Sequence, residues 1–90
     1  MKQVRIILTG KVQAVGFRQF ARQQAEKREI TGFIKNHPDG TVEIVAEGEE
    51  SPLNDFIREC KRGPFMAFVQ KADLEFGKPT GEYEEFEVWP

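Results

Sequence analysis

The chain opens on an alternation. Val4, Ile6 and Leu8 fall on one side of an extended run from Gln3 to Lys11, and Arg5, Ile7 and Thr9 fall on the other. A period of two predicts a strand, and Ile7 on the second side predicts cover on both faces. From Phe17 to about Arg28 the period becomes helical. Phe17, Phe20, Ala21, Gln24 and Ala25 recur at i, i+3, i+4, i+7 and i+8, with Arg18, Arg22, Glu26 and Arg28 on the opposite side. Extended character returns from Ile30 to Lys35. Asn36-His37-Pro38-Asp39-Gly40 is a concentrated turn signal. Thr41 to Glu47 alternates again, with Val42, Ile44 and Ala46 in step, so the two runs predict a β-hairpin.

Ser51-Pro52 predicts a second helix, with Ser51 as N-cap and Pro52 at the first helical position. Leu53, Phe56, Ile57 and Cys60 form its apolar stripe, and Gly63-Pro64 ends it. Cys60 is thereby expected to be a packed core thiol. Ala67 to Phe76 reads as a fourth strand whose phase slips. Ala67 and Val69 are in step, then Ala72, Leu74 and Phe76, and a β-bulge near Gln70-Lys71 reconciles the two halves. Residues 77–82 form a loop, and Glu85 to Trp89 a short last strand with Phe86 and Val88 inward. The order predicts an α+β fold, a ferredoxin-like βαββαβ sandwich. Two helices cover one face of an antiparallel sheet, and a short fifth strand is appended. In that arrangement the first and third strands are neighbours and the second follows at the edge. The loop after Val12 and the end of the second strand then meet at one side of the sheet.

Ninety residues, 39% hydrophobic and 31% charged, predict one globular domain spanning 1–90. No apolar run approaches the roughly 20 residues that span a membrane. Met1-Lys2-Gln3 leads straight into the first strand, and Cys60 is the only cysteine. These features predict a cytoplasmic monomer with no membrane segment. Charge is uneven. Residues 1–40 carry eight Lys and Arg against three Asp and Glu; residues 41–90 carry five against twelve. The split fits two differently charged solvated faces, or a positive field around an anion site in the first half, and the net charge of −2 is less basic than a typical nucleic-acid footprint.

Candidate chemistry concentrates where the first strand gives way to the first helix, at Gly10-Lys11-Val12-Gln13-Ala14-Val15-Gly16-Phe17-Arg18. A helix start offers unpaired N–H groups and the positive end of the helix dipole. A loop feeding it can wrap an anion, Gly16 admits a close backbone approach, and Arg18 adds a guanidinium fork. Other chemistries lack parts. His37 is the only histidine and lies in a turn, where solvent exposure is expected, and no His/Cys/carboxylate group has metal-ligand spacing. The acidic groups around Glu47-Glu49-Glu50 and at 82–87 read as solvated edges.

Val12-Gln13-Ala14-Val15-Gly16-Phe17-Arg18 resembles the signature loop of the acylphosphatases. Residues 32–43, Gly32-Phe33-Ile34-Lys35-Asn36-His37-Pro38-Asp39-Gly40-Thr41-Val42-Glu43, resemble the family's second signature, and Gly63-Pro64 with Ala67 and Val69 is a weaker third match. The resemblance implies a metal-free, cofactor-free hydrolase that cleaves small acyl phosphates to carboxylate and phosphate. It places the family's phosphate-binding arginine on Arg18 and its loop amides on Gln13, Ala14, Val15, Gly16, Phe17 and Arg18. The water-orienting asparagine falls on Asn36. Thr41, just after the Asp39-Gly40 turn, reads either as a hydroxyl that supports the Asn36 side chain or as a plain β-former. Phosphate or sulfate would occupy the same cradle. Ala14 departs from the glycine usual in the family. A non-catalytic ferredoxin-like module binding an anion or a regulatory ligand is the alternative. An RNA-binding domain of this fold would want aromatics on the first and third strands, which have none.

Overall fold

The alternation at the start of the chain becomes β1 (Lys2–Lys11), with Val4, Ile6 and Leu8 fully buried. The computed structural model describes residues 1–90. After β1 come α1 (Phe17–Glu26), β2 (Thr31–Asn36), β3 (Val42–Gly48), α2 (Glu50–Arg62), β4 (Phe68–Gly77) and β5 (Phe86–Val88). The strands lie in the order β4-β1-β3-β2-β5. Val42, Ile44 and Ala46 of β3 join the β1 stripe, and both helices lay their apolar sides on it: Phe17, Ala21 and Ala25 from α1, Leu53, Phe56, Ile57 and Cys60 from α2. Each large side chain buried there contributes about 1.5–3 kcal/mol relative to exposure. Cys60 is fully buried, and that burial pushes its thiol far above the ordinary range, so it remains neutral.

Three details differ from the sequence expectation. The expected edge strand β2 is flanked by β5, which pairs parallel to it through Gly32, Phe33 and Ile34, so the sheet is mixed. Helix α2 begins at Glu50 with Glu49 at the N-cap, so Ser51 caps nothing and Pro52 sits inside the first turn. That turn needs no N–H from Pro52, which is why the proline is tolerated. Ile7 is only half-buried, because no layer covers the second face of β1 at that point. The phase slip in β4 does resolve as a bulge: Thr9 faces Lys71 and Gly10 faces Val69, leaving Gln70 as the extra residue. Gly10 takes φ 129 there, and a Cβ would lie 2.3 Å from the Phe68 carbonyl oxygen, so only glycine fits.

The return to β5 is latched by a carboxylate that the sequence places among solvated edges. Glu47 is buried, contrary to that expectation. Its Oε2 accepts from Gln3 Nε2 at 2.7 Å and from both the backbone N–H and hydroxyl of Thr80 at 2.8 Å; Oε1 accepts from the Gly81 N–H at 3.1 Å. Burial by itself would raise the pKa, but the four donors prevail and hold the carboxyl below its ordinary range. A lowered folded-state pKa contributes stability that is complete above the unfolded glutamate range and is lost as pH falls through the folded value. Glu47→Gln is therefore expected to cost about 2 kcal/mol at pH 7 and to flatten the acid limb of stability. Urea unfolding at pH 7 and pH 3 checks both effects.

Topology now sets the site. β1 and β2 are both antiparallel to β3, and β5 is parallel to β2. Lys11, Asn36 and Val88 therefore end at the same edge of the sheet.

Candidate active site

Residues 12–16 cross that edge from β1 to α1. Val12 and Phe17 anchor the crossing, both buried in the core. Between them Ala14 (φ 58) and Gly16 (φ 76) take left-handed conformations. Left-handed residues two apart curl a loop so that successive N–H groups gather on its concave side. The first backbone hydrogen bond after β1 is the one from Phe20 N–H to the Gly16 carbonyl, so none of the N–H groups of residues 13–18 has a protein acceptor. Helix α1 has no capping side chain and no acidic residue in its first turn, so the helix itself carries nothing to offset the positive end of its dipole.

Arg18 adds a cation to that end. Its Nη1 donates to the Trp89 carbonyl at 3.0 Å. Trp89 is itself fixed: its N–H donates to the Ile34 carbonyl at 2.9 Å, its ring stacks on Phe33 at 3.7 Å between centroids, and its Nε1 donates to Glu87 at 2.8 Å. Arg18 is thus referenced to β2, the strand that ends in Asn36. At Asn36 the side-chain Oδ1 is buried with no hydrogen-bond partner, the only such side-chain atom in the molecule. A buried polar group left unpaired costs about 1–3 kcal/mol, so its retention at the end of β2 calls for an explanation other than stability.

The hairpin turn closes beside it. His37 N–H donates to the Thr41 carbonyl at 2.9 Å, and Gly40 N–H to the His37 carbonyl at 3.1 Å. The hydroxyl expected to support Asn36 goes elsewhere: Thr41 Oγ1 donates to Asp39 Oδ1 at 2.6 Å, and Thr41 N–H to the same oxygen at 3.0 Å. An aspartate two residues back is in reach without any backbone adjustment, and it wins the hydroxyl. The same bonds lower the Asp39 pKa. His37, expected in solvent, is half-buried and pairs with Glu43 Oε1 at 2.8 Å, while Glu43 Oε2 accepts from Arg5 at 2.8 Å. Burial would raise the Glu43 pKa, but the bonds from Arg5 and His37 lower it.

The cradle loop, Arg18 and Asn36 therefore share one end of the sheet. Trp89 escapes a sequence reading, because a backbone carbonyl leaves no mark in residue type. A separate groove of about 510 Å3 lies beyond Phe17, lined by Phe20, Arg62, Gly63, Pro64, Phe65 and Ala67. Neither Arg18 nor Asn36 borders it. Chemically, free loop amides and a guanidinium suit a tetrahedral oxyanion, and a side-chain amide suits a water.

Ala14 carries a Cβ where the backbone is left-handed, at a cost of about 1–2 kcal/mol. Glycine would relieve that strain but loses about 0.4–1 kcal/mol through the freer unfolded chain. Ala14→Gly is therefore expected to leave stability unchanged or raise it by up to about 1.5 kcal/mol, and to change kcat/KM by less than roughly tenfold. Steady-state kinetics and urea unfolding of the variant check both.

Comparison with known proteins bears on this geometry. The family model described as Acylphosphatase matches residues 4–88. An acylphosphatase of Bacillus subtilis (strain 168) is 52% identical over 88 residues, covering 98% of this chain and 97% of the relative. The crystal structure of an acylphosphatase from Bacillus subtilis superposes with a TM-score of 0.96 over all of both chains, with 38% identity. One from Coxiella burnetii superposes with a TM-score of 0.90 at 33% identity, over 98% of this chain and 92% of that one.

Proposed function

The chain belongs to the acylphosphatase family, an enzyme family of hydrolases, and from that premise we propose how its residues cleave the carboxyl–phosphate bond. The phosphoryl group lies in the 13–18 loop. The N–H groups of Gln13, Ala14, Val15, Gly16, Phe17 and Arg18 and the guanidinium of Arg18 hold its non-bridging oxygens. The observation that carries this reading is the unbroken run of N–H groups with no protein acceptor at an uncapped helix start.

The amide of Asn36 holds the attacking water through its Nδ2, which no protein atom engages, while its Oδ1 is shut off from solvent. It orients the water and does not deprotonate it, since an amide is no base at neutral pH. An acyl phosphate already has a good leaving group, so placement and fixed positive potential supply most of the rate. The water oxygen forms a bond to phosphorus, the bond from phosphorus to the carboxylate oxygen breaks, and the water proton passes to a phosphoryl oxygen. No metal, cofactor or covalent enzyme intermediate enters. The reading takes residues 1–90 as one catalytic domain acting as a monomer in the cytoplasm, with phosphate or sulfate able to fill the cradle.

Hydrolysis of benzoyl phosphate in 18O-water with excess chelator tests the reading. Turnover that places the label in phosphate supports it. Label in benzoate would move the attack to the carbonyl carbon. Phosphate binding with no turnover would leave only an anion-binding module.

A further inference from the structure

We infer that the Gln13 side chain is a positioning residue that sets the distance between the phosphate cradle and the water held at Asn36; this rests on the roles proposed above. The backbone N–H of Gln13 belongs to the proposed cradle, while its side-chain amide reaches the β2–β3 turn. Nε2 donates to the His37 carbonyl at 2.7 Å and to the Thr41 carbonyl at 2.8 Å. Both of its N–H donors are used, one on each carbonyl that closes the β2–β3 turn.

The turn does not need these bonds for its own shape. It is already closed by two backbone hydrogen bonds and by two bonds from Thr41 to Asp39. The Gln13 amide fills the second lone pair of each carbonyl, and what it adds is a link across 24 and 28 residues of chain. Asn36 immediately precedes that turn. The cradle side is the one that needs holding: residues 13–16 make no ladder contacts, and the left-handed Ala14 follows Gln13 directly. Asparagine is a methylene too short to reach the same two carbonyls from the same backbone. Glutamate is isosteric but turns two donors into acceptors facing carbonyl oxygens.

A linker of this kind acts on the chemical step more than on binding. Arg18 and the loop amides still meet the phosphate when the turn drifts, but the water at Asn36 loses its line to phosphorus. Displacement by about 1 Å is enough for roughly a hundredfold loss. The test is a double-mutant cycle on benzoyl phosphate with Gln13→Ala, Asn36→Ala and the double variant, with Gln13→Glu as a second disruption and inorganic phosphate as competitive inhibitor. Expected are a roughly 10- to 100-fold loss of kcat for Gln13→Ala and Gln13→Glu, and phosphate inhibition constants within about threefold of wild type. In the Asn36→Ala background Gln13→Ala should cost less than about threefold, because the group it positions is gone. Losses that multiply in the double variant, or a phosphate constant that weakens as much as kcat falls, overturn the inference. An Asn36→Ala variant with wild-type kcat overturns the Asn36 role itself, a failure the single variant reveals independently of Gln13.

Discussion

Lysine in place of Arg18 is expected to lower kcat/KM for benzoyl phosphate by roughly a thousandfold, with the fold retained. Two features of the arginine cannot be kept. Its Nη1 is committed to the Trp89 carbonyl, and the rest of the guanidinium fork is left for the phosphoryl oxygens. An ammonium is a point charge on a flexible stem, so it can serve the carbonyl or the anion but not hold both in a fixed plane. Arg18 is half-buried and its one hydrogen bond within the chain goes to the Trp89 carbonyl, so the cost in stability is expected to stay near that single lost bond, about 1 kcal/mol. Steady-state kinetics with urea unfolding as control measures both. A variant within tenfold of wild type would mean that the loop amides suffice and that Arg18 only packs against the last strand.

Asn36→Ala is expected to lower kcat by at least about a hundredfold while KM moves little. Removing an amide that holds only the water affects a contact made on the way to the transition state and leaves the phosphate cradle intact. The same change should not destabilise the protein. The buried Oδ1 has no partner, so its removal relieves a desolvation cost, and stability is expected to hold or rise by up to about 1 kcal/mol. Loss of rate with retained or increased stability is the pattern of a residue kept for function. A fall in stability beside the fall in rate would point to a structural role at the end of β2. Urea midpoints and single-substrate kinetics on the same preparation separate the two.

Much of this molecule was legible because its elements answer to local rules. Val4, Ile6 and Leu8 alternate and are buried; the phase slip between Val69 and Ala72 demanded an extra residue, and Gln70 is that residue. The helix that begins at Phe17 places Arg18 in its first turn as its periodicity requires. What escaped was set by distant contacts. Nothing near Phe86 says that it pairs parallel with Gly32, because that pairing depends on where the 78–85 loop is latched. Glu47 looks like any solvated glutamate until Gln3, Thr80 and Gly81 surround it. Thr41 lies close enough in sequence to serve Asn36, but Asp39 is nearer still. Residues 12–16 were legible as a loop entering a helix; that Trp89 accepts from Arg18 and that the Gln13 side chain ties this loop to the turn are three-dimensional facts.

The central claim divides labour: the cradle and Arg18 bind the phosphoryl group, and Asn36 serves only the water. Calorimetric titration of inorganic phosphate into wild type, Arg18→Lys and Asn36→Ala tests that division without turnover. The account predicts equal affinity for wild type and Asn36→Ala, and binding by Arg18→Lys weakened at least about tenfold, the loss of one charge-assisted contact. Phosphate binding lost on removal of Asn36, or kept in full by Arg18→Lys, would contradict it.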